Sequence, residues 1–310
     1  MLAEASSTIA AVTETKVELP QRRVPAERPV EAHLEADRRT YVIRPATGWP
    51  HLDVRELWHY RELLLTLVWR DVIVRYKQTF LGIAWAVLVP VFTAVVYIIV
   101  FGRFAKFPHG VTPYPVIVVG GVLPMQYFAS AATNSSTSLV SNLPLVTKVY
   151  FPRVLLPLAA VVVPLVDLIV GLPVLIAVMA VYGAWPKGIS GALAPLFIFL
   201  AFITALGVGF LLATVNVRWR DVRYMIPVFL QVLPLLSGVM YTLDKLPSKW
   251  QWVLSVNPIA AAISAWRWAI LGDVAPQWDQ FAVGVGVSIL LFLVGLAAFR
   301  TYEPRFADTI

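Results

Sequence analysis

Downstream of Lys77 the chain alternates long apolar intervals with short polar ones, and Asp, Glu, Lys and Arg are absent from 78–102, 107–147, 154–166, 168–186, 188–217, 224–243 and 280–299. A hydrocarbon core of about 30 Å is crossed by a helix of about 20 apolar residues. Six spans are therefore expected near 82–102, 115–138, 155–181, 192–214, 223–242 and 280–300. Pro90, Gly121, Pro164, Gly207 and Pro234 interrupt them, which membrane helices accommodate when neighbouring helices satisfy the freed backbone groups. The pattern predicts an all-α integral membrane protein with six transmembrane helices.

Upstream, VRELWHYRELLLTLVWRDVIVRYKQ at 54–78 has helical periodicity. Leu57, Tyr60, Leu64, Leu67, Val68 and Val72 share one face, with Arg55, His59, Glu62, Thr66 and Arg70 opposite, and Arg61 and Asp71 interrupt the apolar side. Such a helix is too charged to span a bilayer. Its amphipathicity suits the membrane interface, and equally a helix packed on a soluble partner. Residues 1–50 are rich in Ala, Glu, Arg, Pro and Thr and lack the apolar run of a signal peptide. The expected plan is a disordered tail over 1–40, a segment with the amphipathic interface helix over 41–78, and a six-span domain over 79–310.

The interval 244–279 is the ambiguous one. VLSVNPIAAAISAWRWAILG is long enough to cross, yet it contains Asn257, Pro258 and Arg267 and is flanked by Lys245, Lys249 and Asp273. Counting it as a seventh span would leave Arg300 and Arg305 outside. It is instead predicted to be a re-entrant pair of short helices on the outer side over 246–272, before the last span, broken at Asn257-Pro258 because the residue before proline is pushed out of the helical region. Trp250, Trp252, Trp266 and Trp268 suit interfacial depth there.

Composition sharpens this picture. The chain is 59% hydrophobic and only 14% charged, against about 25% charged in soluble domains, which excludes a water-soluble globule. Residues 1–60 hold 9 acids and 8 bases and the remainder 9 acids and 17 bases. In a membrane protein such a basic excess sits in cytoplasmic loops facing anionic lipid, so nucleic acid is not an expected partner. With the amino terminus inside, the inner loops carry Arg70, Arg75, Lys77, Lys148, Arg153, Arg218, Arg220, Arg223, Arg300 and Arg305. The outer ones carry Arg103, Lys106, Lys187, Lys245, Lys249 and Arg267. Both termini are thus expected on the cytoplasmic side. The absence of cysteine excludes disulfides and thiolate metal sites.

Several chemistries are missing. No G-x-x-x-x-G-K-[ST] phosphate loop occurs, and His33, His51, His59 and His109 are scattered without H-E-x-x-H spacing, so no bound cofactor or metal is expected. Asp167 is the only acid inside a predicted span, which makes it a functional candidate, or else a group hydrogen-bonded between helices or paired with a loop Arg. Asp244, Asp273 and Asp279 read as solvated outer-side residues, and no carboxylate pair for glycosyl transfer stands out.

Three strings in order are more specific: RDVIVRYKQTFLGIAWAVLVPVFTAVVYIIVFGRFAKF at 70–107, NLPLVTKVYFPRVLLPLAAVVVPLVD at 142–167 and NPIAAAISAWRWAILGD at 257–273. Together they resemble the membrane (permease) subunit of ABC-2 type polysaccharide exporters, which move O-antigen of lipopolysaccharide, capsule or teichoic acid chains; the resemblance covers about 50–310. It implies a non-enzymatic transport subunit of the cytoplasmic (inner) membrane. It further implies a homodimer docked to two copies of a separate ABC ATP-binding subunit that binds ATP and Mg, with a polyprenyl diphosphate-linked polysaccharide as cargo. The family's coupling helix falls on Asn142–Arg153, with Leu143, Pro144, Val146, Lys148, Tyr150, Phe151 and Arg153 facing the ATPase; the plainer reading is a juxtamembrane positive cluster. Lipid diphosphate loading falls on Arg70, Arg75, Tyr76 and Lys77, where Arg offers a planar fork to phosphate; the plainer reading is topology alone. A glycan conduit of stacking rings has Tyr97, Tyr114, Tyr127, Phe128, Tyr224, Tyr241, Trp266 and Trp268 as candidates, although most membrane aromatics are packing or interfacial anchors. The alternatives are an ABC-2 exporter of small lipids or drugs, or a membrane enzyme acting on polyprenyl-linked glycan.

Overall fold

The computed structural model describes residues 54–77, 81–105, 112–186, 189–219, 221–243, 246–272 and 275–306. The expected tail over 1–40, residues 41–53, His33, His51 and His109, and the loop charges Lys106, Lys187, Arg220, Asp244, Lys245 and Asp273 lie outside them. The described residues are helical almost throughout and contain no strand.

The amphipathic segment forms two helices, α1 (Val54–His59) and α2 (Arg61–Lys77), rather than one continuous helix, with a turn at Tyr60. Leu67 is buried, and Leu57, Tyr60, Leu63, Leu64 and Val68 pack against the core. The apolar face read from the sequence is therefore covered by this chain's own bundle, where α2 lies on the helix that opens the third span. Other apolar side chains are left bare: Trp58 of α1 and Leu65 and Trp69, one turn apart on α2, are 70%, 65% and 66% exposed.

The first span is α3 (Ala84–Tyr97), continued by a π-helical stretch Ile98–Phe104, and the second is α4 (Tyr114–Ser141), the most buried of the spans. A short surface helix α5 (Leu143–Lys148) follows. The third span is α6 (Leu155–Val162) and α7 (Pro164–Tyr182), and the fourth is α8 (Ala194–Arg218), entered through a 3₁₀ turn at Ile189–Leu193. After α9 (Val222–Leu236) and the bent pair α10 (Ser248–Ser255) and α11 (Pro258–Leu271), α12 (Trp278–Tyr302) ends the bundle. Five of these spans are long and apolar enough to cross a membrane.

The predicted span at 223–242 is the exception. Its helix stops at Leu236, after 15 residues, or about 22 Å at about 1.5 Å per residue. The backbone then turns through Gly238 at φ 67° and turns its carbonyls toward α11. Arg267 lies there, 5% exposed, donating to the carbonyls of Gly238 at 2.8 Å, Tyr241 at 3.1 Å and Val239. Non-helical backbone at membrane depth is tolerated where it is buried in protein. Arg267 is consequently a buried structural group and not the outer-loop charge that the sequence suggested.

The α10–α11 pair bends by 108° at Asn257-Pro258. The Asn257 side-chain oxygen Oδ1 caps α11 by accepting from the Ile259 N–H at 3.2 Å, and its Nδ2 donates to Ser237 Oγ at 2.9 Å. Gln277, just before α12, donates to Gln251 at 2.9 Å, while Ser190, ahead of α8, donates to the Ala269 carbonyl at 3.3 Å. Both arms of the pair thus return to the end of the bundle where α8 and α12 begin. The break falls at the predicted Asn257-Pro258 step. Trp250 and Trp252 are exposed on the pair, whereas Trp266 is buried.

The tightest crossing is between α8 and α12. A Cβ on Gly207 would lie 2.6 Å from the Phe292 backbone, so the two helices approach through a glycine contact, the small-residue packing that membrane helices favour. Phe210, Phe299 and Phe306 close the crossing below it, with centroids 5.2 and 5.1 Å apart in sequence. Gly207→Val should destabilise the bundle by about 1–3 kcal/mol or more through overpacking. Gly286→Ala, where a Cβ meets nothing within 4 Å, should leave the melting temperature in detergent unchanged or slightly higher. Equal melting temperatures for Gly207→Val and the parent chain would show that this crossing is not close-packed.

Candidate functional site

Around the carboxyl end of α2 three helices converge, and the sequence-predicted loading residues are among the groups they bring together. Asp167, on the first turn of α7, is held by that end: Arg75 Nη2 lies 2.7 Å from Asp167 Oδ2, and the Tyr76 hydroxyl donates to Asp167 Oδ1. Burial raises the Tyr76 hydroxyl pKa above its ordinary value, and the hydrogen bond to Asp167 and its negative charge add to the shift, against a smaller opposing effect of Arg75. The hydroxyl therefore remains a donor through physiological pH. One turn earlier Arg70 pairs with Asp71 at 2.8 Å and donates to Asn142 Oδ1 at 2.8 Å. Lys77 is exposed.

Two cavities flank this junction, and Arg75 lines both. One, of about 620 Å³, is walled by α2, α4 and α6. The other, of about 230 Å³, lies between Arg75, Tyr76, Trp85, Gln126, Tyr127 and Asp167. The first contains what sequence reasoning missed: TNSSTSLVSN at 133–142, a run of hydroxyl and amide side chains in the last turns of an otherwise apolar span. The spacing of Asn134, Thr137, Ser138 and Ser141 on one helical face was the signal available for it. At the opposite end Arg267, Gln251, Gln277 and Gln280 line a smaller cavity of about 110 Å³. Among the described residues no group of three or more His, Asp or Glu could hold a metal.

The 142–153 loop divides into two kinds of residue. Pro144, Lys148 and Tyr150 are exposed, Tyr150 by 75%. Val146 and Phe151 are 2% and 7% exposed and belong to this chain's own core, and Leu143 is half-buried. Val146 and Phe151, expected to face the ATPase, therefore hold the loop down rather than face outward. Arg153 anchors it as well: its backbone N–H donates to Glu303 Oε1 at 3.0 Å, its guanidinium donates to the Glu303 carbonyl, and Arg300 pairs with Glu303 Oε2 at 2.9 Å. The end of α12 is thereby fastened to the loop.

The aromatic candidates do not form one surface. Tyr114, Tyr127, Phe128 and Trp266 are buried. Tyr114 donates to the Met240 carbonyl at 3.0 Å, Tyr127 to Val161 at 3.4 Å and Trp266 Nε1 to Gly120 at 3.0 Å. Tyr114, Phe128 and Trp266 are committed to internal packing and Tyr127, though buried, borders the smaller cavity, which corrects their assignment as one open conduit surface. Tyr97 and Trp268 are partly buried, edge-on to Phe101 and to Trp278 at centroid distances of 6.0 and 5.3 Å. Tyr241 is partly buried with its hydroxyl on the Leu235 carbonyl at 2.7 Å. Tyr224 is 65% exposed beneath the Arg223 guanidinium, 4.6 Å from its ring centroid.

Comparison with known proteins gives this arrangement a context. A family model described as ABC-2 type transporter matches residues 62–271, which takes in α2, the polar cavity, the 142–153 loop and the re-entrant pair. The O-antigen export system permease protein RfbA of Klebsiella pneumoniae is 29% identical over 254 residues, 80% of this chain and 95% of the relative. A protein of the same name from Myxococcus xanthus is 27% identical over 259 residues, 83% of this chain and 98% of its own length. The polysialic acid transport protein KpsM of Escherichia coli is 23% identical over 243 residues, 76% of this chain and 91% of its own.

If the Arg75–Asp167 pair fastens α2 to α7, the two residues must be energetically coupled. A double-mutant cycle of Arg75→Gln and Asp167→Asn, read from thermal unfolding in detergent, should give a coupling of about 0.5–3 kcal/mol, at the lower end because both side chains are partly exposed. Additive losses would mean that the pair contributes no fastening.

Proposed function

Because this chain belongs to the ABC-2 type transporter family, we propose that it is the membrane subunit of an ATP-driven exporter that carries lipid-linked polysaccharide, of the O-antigen kind, across the cytoplasmic membrane. The observation that carries this reading is the near full-length similarity to relatives named for O-antigen and polysialic acid export, joined to a multi-pass helical bundle. On this reading the chain works as a homodimer with both termini cytoplasmic. Two copies of a separate ATP-binding subunit bind ATP and Mg and hydrolyse the nucleotide, and this chain binds no cofactor.

The geometry supports a division of labour. Arg70, Arg75, Tyr76 and Lys77 cluster at one end of α2, where guanidinium forks and a hydroxyl suit a lipid-linked diphosphate. Asp167 already takes the donors that such a group would use, so loading exchanges one anion for another. Pro144, Lys148 and Tyr150 project from α5 and its flank as a contact for the ATP-binding subunit, the helix-in-groove mode of recognition. Any push on that loop passes through Arg153 and Glu303 to α12. Tyr97, Tyr224, Tyr241 and Trp268 remain as ring surfaces for a sliding glycan.

Tyr150→Asp tests the coupling role cleanly because the side chain is 75% exposed. Desolvating an unpaired carboxylate in a docked contact costs several kcal/mol, so stimulated ATP hydrolysis and glycan export should be lost while membrane insertion and thermal stability are unchanged. Phe151→Asp should instead unfold the loop. Full stimulation in Tyr150→Asp would reject the docking surface.

A further inference from the structure

We propose that the cavity of about 620 Å³ between α2, α4 and α6 is a recognition site for the sugar next to the diphosphate of the lipid-linked cargo. This rests on the loading role of Arg70 and Arg75 proposed above and names the part of the cargo read beside it. The three walls differ chemically. On α2, Arg70 and Arg75 supply cationic N–H donors beside Asp71, which also lines the cavity and pairs with Arg70 at 2.8 Å, so an incoming phosphate exchanges with the Asp71 and Asp167 carboxylates for these donors. On α6, Leu156, Ala159 and Ala160, with Val163 beyond its end, supply an apolar floor.

The third wall decides the ligand. Asn134, Thr137, Ser138 and Ser141 of α4 and the adjoining Asn142 line the cavity. Ser138 Oγ donates to the Ser135 carbonyl at 2.7 Å, Ser141 Oγ to Thr137 at 2.9 Å, Thr137 Oγ1 to Asn134 at 3.2 Å and the Asn142 amide to Ser138 at 2.8 Å. With their protons turned back onto the helix, these hydroxyls keep lone pairs that accept. The Asn134 side chain makes no hydrogen bond to the described residues. A ligand matching all three walls has hydroxyl donors beside an anion and one apolar face, which is a sugar ring attached to phosphate. The volume falls in the range of about 300–1,000 Å³ of small-molecule sites.

The test measures binding of two probes to the detergent-purified full chain: farnesyl diphosphate, and farnesyl diphosphate carrying one glucose. The sugar-bearing probe should bind roughly three- to tenfold tighter than the bare one. Thr137→Val, which is isosteric, and Asn134→Leu should each remove that advantage and leave the bare diphosphate constant unchanged; Arg75→Gln should weaken both probes. An unchanged melting temperature certifies Thr137→Val and Asn134→Leu, and a retained cooperative unfolding transition certifies Arg75→Gln, which also breaks the tie to Asp167. Phosphatidylinositol, whose headgroup offers the same hydroxyls and phosphate, should not displace the glucosyl probe at equal concentration. Displacement would reassign the cavity to a bilayer headgroup. Equal affinity of the parent chain for the two probes, or equal loss of both in Thr137→Val, would overturn the sugar site alone and leave the diphosphate role standing. No binding of either probe would overturn both. Loss of ATP-binding-subunit association in these variants with both constants unchanged would make the cavity a partner's seat.

Discussion

A polar group in hydrocarbon has only protein to bond to, and that constraint organises this bundle. Several polar groups of the helices turn inward and find protein partners. The Asp167 carboxylate takes Arg75 and Tyr76, and the Arg267 guanidinium takes the carbonyls that α9 frees when it stops short. Thr204 of α8 meets Ser288 of α12 at 2.9 Å, and Gln251 joins the re-entrant pair to the entrance of α12. The apolar side chains left outside, such as Phe92, Val181, Phe229 and Leu290, cost nothing in lipid. Association between spans then depends on close backbone approach, which Gly207 permits, and on these few polar ties.

The same constraint explains how much could be read from the sequence. Spans one to four and the last are legible because membrane burial removes charge over a helix length, and the break at Asn257-Pro258 is a local backbone rule. What failed was whatever depends on a distant partner. The early end of α9 cannot be seen without Arg267, nor Arg267 recognised as buried without the carbonyls after α9. For Asp167, pairing with an Arg outside the spans was among the readings and is what the structure has, but which Arg it meets depends on a helix far away in sequence. The division of the amphipathic segment at Tyr60 and the burial of Val146 and Phe151 in the 142–153 loop are matters of how a short helix rolls on its neighbours. Periodicity over so few residues does not settle that. The rings of Tyr114, Tyr127, Phe128 and Trp266 went the same way: aromatic content was plain, orientation was not.

For the candidate site, the cations of α2 were legible and the hydroxyl face of α4 was overlooked, though both were in plain view as residue types. Each alone has an ordinary explanation, since basic residues flank spans and back-bonded hydroxyls sit in many membrane helices. Only their placement on facing walls of one cavity gives them a joint chemistry. The Asp167 tie lies between that cavity and its smaller neighbour, and the Glu303 tie lies between the exposed loop and α12. Binding of cargo and docking of the ATP-binding subunit would thus each act on a helix through one acidic residue, Asp167 or Glu303.

The most direct test of a glycan exporter is reconstitution of this chain with its ATP-binding subunit in proteoliposomes, with lipid-linked O-antigen on the outer leaflet and ATP outside. Inverted complexes, with their nucleotide-binding side outward, should move the glycan into the lumen, seen as ATP-dependent protection from an added glycosidase. A hydrolysis-deficient ATP-binding subunit should give none. Protection independent of ATP, or robust ATP hydrolysis by the complex with no movement of the glycan, would contradict the account.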